Sequence, residues 1–254
     1  MSEQNPSPAP AAAHTEASVR PAETTAAAAV PEHTAQILAH IEKHVGKPAR
    51  VLRAVAPEDG ASVDLHVVEP TDARPFYTFV TAGMSDFAMV PPKQYADWSH
   101  AELYLCLPPD WKIDFENWPK DENAWPLRVL ANIARLPHRH AAWIWYGQTL
   151  PNGNPPEPFA PSVGFTAVVL QTPALLPEDF LELPVDGKTD ADKKTLRFFA
   201  LIPIFPDELK LKTQKGIEAL EEALRAGGCS ELLRADRESV APAPKKGLWG
   251  RLFG

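Results

Sequence analysis

The sequence predicts an α+β (mixed α/β) fold: a single domain built on a mixed, mostly antiparallel sheet packed with helices. Strand-like segments outnumber helical ones and do not alternate strictly with them, which disfavours a doubly wound parallel sheet. With 254 residues, 44% of them hydrophobic, the chain can fill a sizeable core. We place the domain at residues 34–236, between a disordered Ala/Pro-rich arm at 1–33 and a linker with a basic, aromatic C-terminal tail at 237–254.

The arm is almost entirely Ala, Pro, Thr, Ser and Glu up to about Pro31. With so little apolar surface to bury, it cannot offset the entropy of ordering, and we expect it to be a tether. The prolines that interrupt any helix there are Pro6, Pro8, Pro10, Pro21 and Pro31.

Composition excludes several classes of protein. No uninterrupted apolar run is long enough to span a membrane, and the first residues do not have the pattern of a secretory signal. The two cysteines, Cys106 and Cys229, have no paired spacing, so we expect no disulfide and a cytoplasmic location. The net charge of −8 repels phosphate backbones, which argues against nucleic acid as a partner.

In the first half of the domain, Ile37, Ile41 and Val45 have helical spacing, which predicts a helix over Thr34–Gly46. Turn residues at 57–60 predict an antiparallel hairpin between the first two strands that follow. The fourth strand is apolar on both faces, so we expect it inside the sheet. The predicted strands are Arg50–Val55, Val63–Val68, Phe76–Thr81 and Ala101–Leu107.

In the second half, the apolar spacing predicts a helix over Trp125–Leu136 that Pro137 ends. A C-terminal helix over Asp207–Ala226 has an inner stripe of Ile217, Leu220 and Leu224. The strands predicted between these helices are Ala141–Tyr146, Gly164–Gln171 and Leu196–Phe205. In the first of them, Trp143 and Trp145 would share one sheet face, either as core residues or as an aromatic binding face.

Motifs of catalysis are sparse. The sequence has no phosphate-binding glycine motif and no nucleophile elbow, and we identify no catalytic residue. His138 and His140 are weak metal-ligand candidates, because on an extended segment both would point the same way. The further ligands could be His66, Asp86 or Cys106, but nothing in the spacing selects one, and a polar connection is the favoured interpretation.

Gly83-Met84-Ser85-Asp86 follows a predicted strand and forms the most distinctive turn in the chain. Gly83 can take a positive φ, while Ser85 and Asp86 can bond to nearby amides. A nucleophilic Ser85 would need a base, and no histidine partner is identifiable, so a structural turn is favoured. Cys106 lies in an apolar strand, where a buried thiol has a raised pKa and is inert.

The C-terminal tail carries large apolar residues next to basic ones, with Trp249 and Phe253 the most prominent. Such residues gain free energy on burial, so we expect a protein-docking peptide rather than a frayed end. The stretch is short and has few cations, so stable membrane insertion is not expected.

Several of these motifs, in this order, resemble the bacterial form of the suppressor-of-fused domain family. The resemblance covers about Ala35–Leu233, and no single motif carries it alone. The motifs are Phe79–Asp86, Ala101–Pro108, Trp125-Pro126 with Ile133–His138, Gly147–Leu150, Pro161–Phe165, and Leu201–Leu209 with Gly216–Leu220.

The resemblance implies a single mixed α/β domain that binds other proteins, without a catalytic role or a cofactor. Eukaryotic relatives are two-domain regulators that hold a peptide by strand addition, and this chain matches their N-terminal domain only. Tyr146–Thr149 departs from the eukaryotic pattern and lacks its acidic residue. Bacterial members are discussed as immunity proteins. The resulting expected partner-binding residues are Gly83, Met84, Ser85, Asp86, Gly147, Gln148, Trp249 and Phe253.

These observations lead to one hypothesis and two alternatives. The first is a non-catalytic protein-binding domain, an immunity protein that neutralises a toxin by forming a stoichiometric complex. The second is a metal-assisted enzyme that uses His138 and His140. The third is a regulatory scaffold that recruits partners through its tails. The sequence leaves the oligomeric state open.

Overall fold

The computed structural model describes residues 32–54, 62–140, 142–185 and 193–242. The arm up to residue 31, the hairpin turn at 57–60, and the tail with Trp249 and Phe253 lie outside these ranges. Within them the strands are β1 (Arg50–Ala54), β2 (Val63–Val68), β3 (Tyr77–Ala82), β4 (Ala101–Leu107), β5 (Thr149–Pro151), β6 (Ala167–Gln171), β7 (Glu182–Val185) and β8 (Lys194–Ile204). The helices are α1 (Thr34–His44), α2 (Trp125–Ala134), α3 (Leu136–His140), α4 (Pro206–Lys215) and α5 (Ile217–Ala226).

The strands form one mixed sheet in the order β1-β2-β3-β4-β8-β6-β5, and β7 pairs with the start of β8. Every pairing is antiparallel except that of β4 with β8, where Ala101 lies opposite Arg197. The prediction of a mixed, mostly antiparallel sheet is therefore confirmed, as is the antiparallel pairing of β1 with β2.

β4 is the best-buried strand, and all seven of its residues are inaccessible, as its two apolar faces predicted. Leu103, Leu105 and Leu107 point to the face that α2 covers. Tyr104 and Cys106 point to the opposite face, in the cluster that α1 completes. A third cluster joins β6 and the end of β8 to α5. The sheet is thus covered on both sides, and burial raises the pKa of the Cys106 thiol.

Two predicted boundaries in the middle of the chain are wrong. Pro137 does not end a helix; it lies in the first turn of α3, where its missing N–H has no helical partner to lose. Residues 142–146 form no strand. Instead the Ile144 N–H donates to the Met89 sulfur, 3.2 Å away, so this apolar run packs against a loop rather than a neighbouring strand.

Two further differences concern short or interrupted elements. The single C-terminal helix is in fact α4 and α5, because Gly216 has φ +91° and breaks the helical backbone. The predictions missed β5 and β7, which have three and four residues. Each contains a proline, which weakens the strand pattern. The remaining predicted strands have the expected position to within three residues.

The last described segment is fastened by a buried ion pair. Glu208 is fully inaccessible and accepts two hydrogen bonds from Arg237, at 2.6 and 2.8 Å. The same carboxylate accepts from the N–H groups of Phe205 and Val240. The Arg237 guanidinium also lies 4.8 Å from the centre of the Phe205 ring. We had predicted that a linker begins at residue 237. Instead, the hydrogen bonds of Arg237 and Val240 to Glu208 hold the chain on the domain as far as Val240.

A second buried glutamate fixes the connection after β6. Glu231 is 1% exposed, and its Oε1 accepts from the N–H groups of Ala174 and Leu175 at 2.9 and 2.7 Å. The Tyr104 hydroxyl donates to the same oxygen. The backbone around Glu231 extends the sheet, since its carbonyl accepts from the Cys106 N–H. This glutamate therefore holds the connection after β6 against the C-terminal segment.

The ion pair generates a stability prediction. Arg237→Met leaves the Glu208 carboxylate buried without its counter-charge, which should lower the free energy of unfolding by about 3–5 kcal/mol. Arg234→Met is the matched control, because the Arg234 side chain is 66% exposed and lies 3.9 Å from Asp236. Its effect should stay within about 0.5 kcal/mol. Urea unfolding measures both, and equal effects would show that the pair does not stabilise the fold.

Candidate partner-binding surface

The loop after β3 is organised by Glu102, a fully buried carboxylate on β4. Its Oε1 accepts from the Gly83 N–H at 3.0 Å, the Ser85 N–H at 3.0 Å and the Ser85 hydroxyl at 2.7 Å. Its Oε2 accepts from the Thr81 hydroxyl at 2.5 Å. Because a buried carboxylate needs such donors, the end of β3 and the turn that follows are held in one conformation.

The turn itself has the backbone that the sequence predicted for Gly83, whose φ is +117°. A short 3₁₀ turn follows over Met84–Asp86, and Met84 packs into the core. Ser85 is 0% exposed and donates its hydroxyl to Glu102, so a substrate could not reach it. The geometry fits the structural interpretation of Ser85 rather than the nucleophilic one.

Asp86 connects this turn to the beginning of α1. Its Oδ1 accepts a hydrogen bond from the Glu32 N–H at 3.1 Å. Burial raises the pKa of Asp86, and that hydrogen bond and the neighbouring His33 and His138 partly oppose the rise. Glu32, which we assigned to the end of the arm at 1–33, is therefore bonded to the domain through Asp86.

Exposed apolar side chains follow the turn. Phe87 is 53% exposed and Val90 is 69% exposed, the two highest values among the large hydrophobic residues of the described ranges. The Phe87 ring lies 4.3 Å from the His138 ring, which supports it from one side. Contiguous exposed apolar groups are a feature of interaction surfaces, which makes this loop a candidate for one. We call residues 83–90 the glycine loop.

Next to the glycine loop lies a group of four half-buried rings, which we call the aromatic cluster. Trp98 lies 3.7 Å from Trp145, and Tyr95 stacks on Trp143 at 5.5 Å. The Trp143 indole N–H also donates to the Trp98 carbonyl. Trp143 and Trp145 therefore pack against the loop that carries Tyr95 and Trp98. They do not lie on one sheet face, as we had predicted. Arg197 lies over Trp98, with 3.6 Å between its guanidinium carbon and the ring centre.

The second predicted group, Gly147 and Gln148, forms the turn into β5. Gly147 has φ +73°, and a Cβ on it would lie 3.0 Å from the side chain of Ile217. The Gln148 side chain accepts from the Trp145 N–H at 3.1 Å. This turn is therefore closely packed between α5 and the aromatic cluster. The aromatic cluster lies between this turn and the glycine loop, and the hydrogen bond from the Ile144 N–H to the Met89 sulfur joins them.

An acidic group does stand at this turn, although the turn sequence lacks one. The Tyr146 hydroxyl donates to Glu221 of α5, and Glu218 lies near it. Burial, followed by the hydrogen bond and charge of Glu221, raises the pKa of Tyr146 to about 12. Sequence reasoning missed these carboxylates because they come some 70 residues later in the chain. The only signal was the Glu-rich outer face of the C-terminal helix.

His138 and His140 do not have the geometry that a shared metal ion requires. Both lie on α3, where residues two apart point in nearly opposite directions, so the extended segment we predicted is wrong. His66, one of the candidate further ligands, is buried on β2, and burial lowers its pKa to about 4. Within the described ranges no group of three or more His, Cys, Asp or Glu residues could hold a metal ion.

The buried Glu102 gives a pH prediction. Burial raises the pKa of Glu102 above its ordinary value of 4.5, so the native state holds the proton more tightly than the unfolded chain. Its contribution to stability is largest below pH 4.5 and is lost as the pH rises through the native pKa. The Tm of the wild type relative to Glu102→Gln should therefore fall as the pH rises from 4.5.

Glu222→Gln, which changes an exposed residue of α5, is the control for that measurement. Its Tm difference from the wild type should change little over the same pH range. A difference between wild type and Glu102→Gln that stays constant with pH would contradict a raised pKa of Glu102.

Solved structures share this fold at low identity. A suppressor-of-fused homologue from Neisseria gonorrhoeae FA 1090 matches with a TM-score of 0.57 and 17% identity, over 84% of this chain and 99% of that one. Drosophila Suppressor of Fused matches with a TM-score of 0.54 and 15% identity, over 83% of this chain and 51% of that one. A structure of the Sufu–Fu complex matches with a TM-score of 0.53 and 15% identity, over 83% and 92%.

No curated protein sequence matches the chain. Among the described residues, no helix combines the length and apolarity that crossing a membrane requires. A family model described as suppressor of fused protein (SUFU) matches residues 59–238, which is most of the chain, and the chain therefore belongs to the suppressor-of-fused family.

Proposed function

We propose that this chain is a non-catalytic protein-binding domain that holds its partner on the glycine loop and the aromatic cluster. The observation that supports this most directly is the position of Phe87 and Val90. They are the two most exposed large apolar side chains in the described ranges, and they follow a turn that Glu102 fixes from inside the sheet. A loop fixed in this way loses little conformational entropy when it binds.

The partner that fits this surface best has apolar groups flanked by basic ones. Glu218 and Glu221 stand at the turn beside the aromatic cluster, and the whole chain has a net charge of −8. Opposite charge speeds encounter and selects among partners. Many toxins that attack nucleic acids have basic active-site surfaces. We therefore propose a cytoplasmic immunity protein that blocks such a toxin by forming a stoichiometric complex.

The family supports protein binding in general. One of the similar structures is a complex, that of Sufu with Fu, so a protein of this fold has been observed with a protein partner. We propose that the present chain shares this property, through Gly83–Asp86 and the neighbouring Gly147 and Gln148. The role of Trp249 and Phe253 as a docking peptide stays a prediction, and so does the scaffold in which tails recruit the partners.

The metal-assisted enzyme has less support. His138 and His140 point to different sides of α3, and Ser85 is sealed inside the loop. The polar groups of Gly83 and Ser85 in the glycine loop bond to Glu102 and fix the backbone. This arrangement agrees with a binding role rather than with turnover. Turnover that is lost on replacing either histidine would revive the enzyme hypothesis.

The first functional prediction concerns the exposed apolar pair. Phe87→Ser with Val90→Ser should remove most binding of the stoichiometric partner captured from the native cell, and it should leave the Tm nearly unchanged. Val51→Ser is the control, because Val51 is 46% exposed on the edge strand β1, away from this loop. Affinity purification followed by mass spectrometry measures how much partner each variant retains. Equal retention by the wild type, the double variant and Val51→Ser would overturn the proposed surface.

The second prediction concerns charge. If Glu218 and Glu221 steer a basic partner, the association rate should fall as salt screens the field, since the Debye length shortens from about 30 Å at 0.01 M to about 10 Å at 0.1 M salt. The double variant Glu218→Gln, Glu221→Gln should bind more slowly and show a weaker dependence on salt. Stopped-flow mixing measures the rate. A rate that is flat with ionic strength would rule out electrostatic steering.

A further inference from the structure

We infer that His40 and His44 of α1 form a pH-sensitive switch that controls the glycine loop. Uptake of protons by this histidine pair in mildly acidic solution loosens α1 from the sheet and releases the loop from its fixed conformation. The use of the switch, to hold a partner near neutral pH and to let it go below, rests on the proposed function. Its mechanism depends only on contacts within the domain.

His40 is packed between aromatic rings. It is 7% exposed, and its ring stacks on Phe180 at 5.2 Å and on Phe198 at 5.0 Å. Its Nε2 donates to the Phe180 carbonyl oxygen, 3.0 Å away. A proton added at Nδ1 places a positive charge in this contact, where burial disfavours the charged form. The charged groups that act on His40 are His44 and Lys43, and both are cationic when protonated.

His44 is the second member of the pair. It lies one turn further along α1, and the centres of the two rings are 4.6 Å apart. Like charges one turn apart on a helix repel each other. Protonation of both histidines therefore adds repulsion within α1 to the cost of charging the buried ring of His40, and it weakens the contact of the helix with Phe180.

The pKa values give the direction of the switch. Burial lowers the pKa of His40 more than the hydrogen bond to Phe180 raises it, and the charges of His44 and Lys43 lower it further. Burial and then Lys43 lower the pKa of His44, which Asp179 partly opposes. A histidine whose pKa falls below 6.5 on packing stabilises the packed state above that pH, and this contribution is lost as the pH falls below it.

The other elements that pack against α1 offer little compensating charge. Of the two carboxylates in the 3₁₀ turn Glu178–Leu181, Asp179 acts on His44 and neither acts on His40. Glu182 of β7 is bound by Arg197 at 3.0 Å. The sheet residues in the buried cluster that α1 completes are mostly apolar, among them Val80, Ala82 and Phe198.

The start of α1 connects the switch to the glycine loop. The Glu32 N–H donates to Asp86, and the carbonyl of the next residue, His33, accepts from the Ile37 N–H at 2.9 Å in the first turn of the helix. Ile37 itself packs with Ala82, the last residue of β3 before the Gly83 turn. A displacement of α1 therefore reaches the loop through a hydrogen bond and through the core.

Hydrogen exchange of the full chain, followed by mass spectrometry, tests the switch without any partner. Exchange is measured at about pH 7.5 and about pH 5.5 and corrected for the intrinsic rate, so that the two values lie on either side of the ordinary histidine pKa. Protection of residues 34–44 and of residues 83–90 should fall several-fold at the lower pH, whereas β4 should keep its protection. Equal protection of α1 at both values would overturn the inference, and it would leave the proposed protein binding untouched.

The double variant His40→Gln, His44→Gln assigns the response to the pair. A glutamine amide can still donate to the Phe180 carbonyl, but it takes up no proton, so protection of α1 and the loop should become independent of pH over this range. His140→Gln is the matched control, because His140 is exposed on α3, and it should respond as the wild type does. A response that persists in the double variant would assign the effect to another group, such as Asp86, and overturn the inference.

His44→Gln alone covers the case in which the double variant is poorly folded at neutral pH. His44 is half-buried, so its replacement should leave the Tm at neutral pH nearly unchanged. It removes the repulsion within the pair, and the loss of α1 protection at the lower pH should become smaller than in the wild type. A loss as large as that of the wild type would contradict a role for the pair.

Discussion

Hydrogen-bonding of buried carboxylates is the constraint on which the irregular parts of this domain depend. Three glutamates with at most 1% exposure, Glu102, Glu208 and Glu231, lie within the described ranges. Each accepts main-chain N–H groups from a segment outside the regular elements, because a buried carboxylate without donors would cost several kcal/mol. The sheet and helices are held by apolar burial, while the loop after β3, the connection after β6 and the C-terminal segment are held by these acids.

Apolar periodicity made the core strands and helices predictable. β2 alternates apolar with polar residues, whereas β4 and β8 are mostly apolar, and their positions follow from these patterns. The same reasoning failed at residues 142–146, since Trp143, Ile144 and Trp145 resemble a strand but find their partners in a loop. Short elements such as β5 carry too few residues to show any period.

The candidate site was predictable only in its local parts. The positive φ of Gly83 follows from its own sequence context. Glu102 could not be foreseen, because a glutamate within a strand is usually exposed and its acceptor role depends on Ser85, 17 residues away. The exposure of Phe87 and the carboxylates of α5 beside Tyr146 likewise depend on packing across distant segments. Local sequence fixes backbone geometry, but it does not show which distant groups meet.

The parallel pairing of β4 with β8 has a consequence for how the chain is made. Ala101 pairs with Arg197, so the second edge of β4 can be paired only after almost the whole domain has been synthesised. Until then the β1–β4 meander leaves the ribosome with an apolar strand whose edge is unpaired, a template for association with other nascent chains. Contacts so far apart in sequence also slow folding. Biogenesis of this domain therefore has a vulnerable interval, during which a molecular chaperone would be of most use.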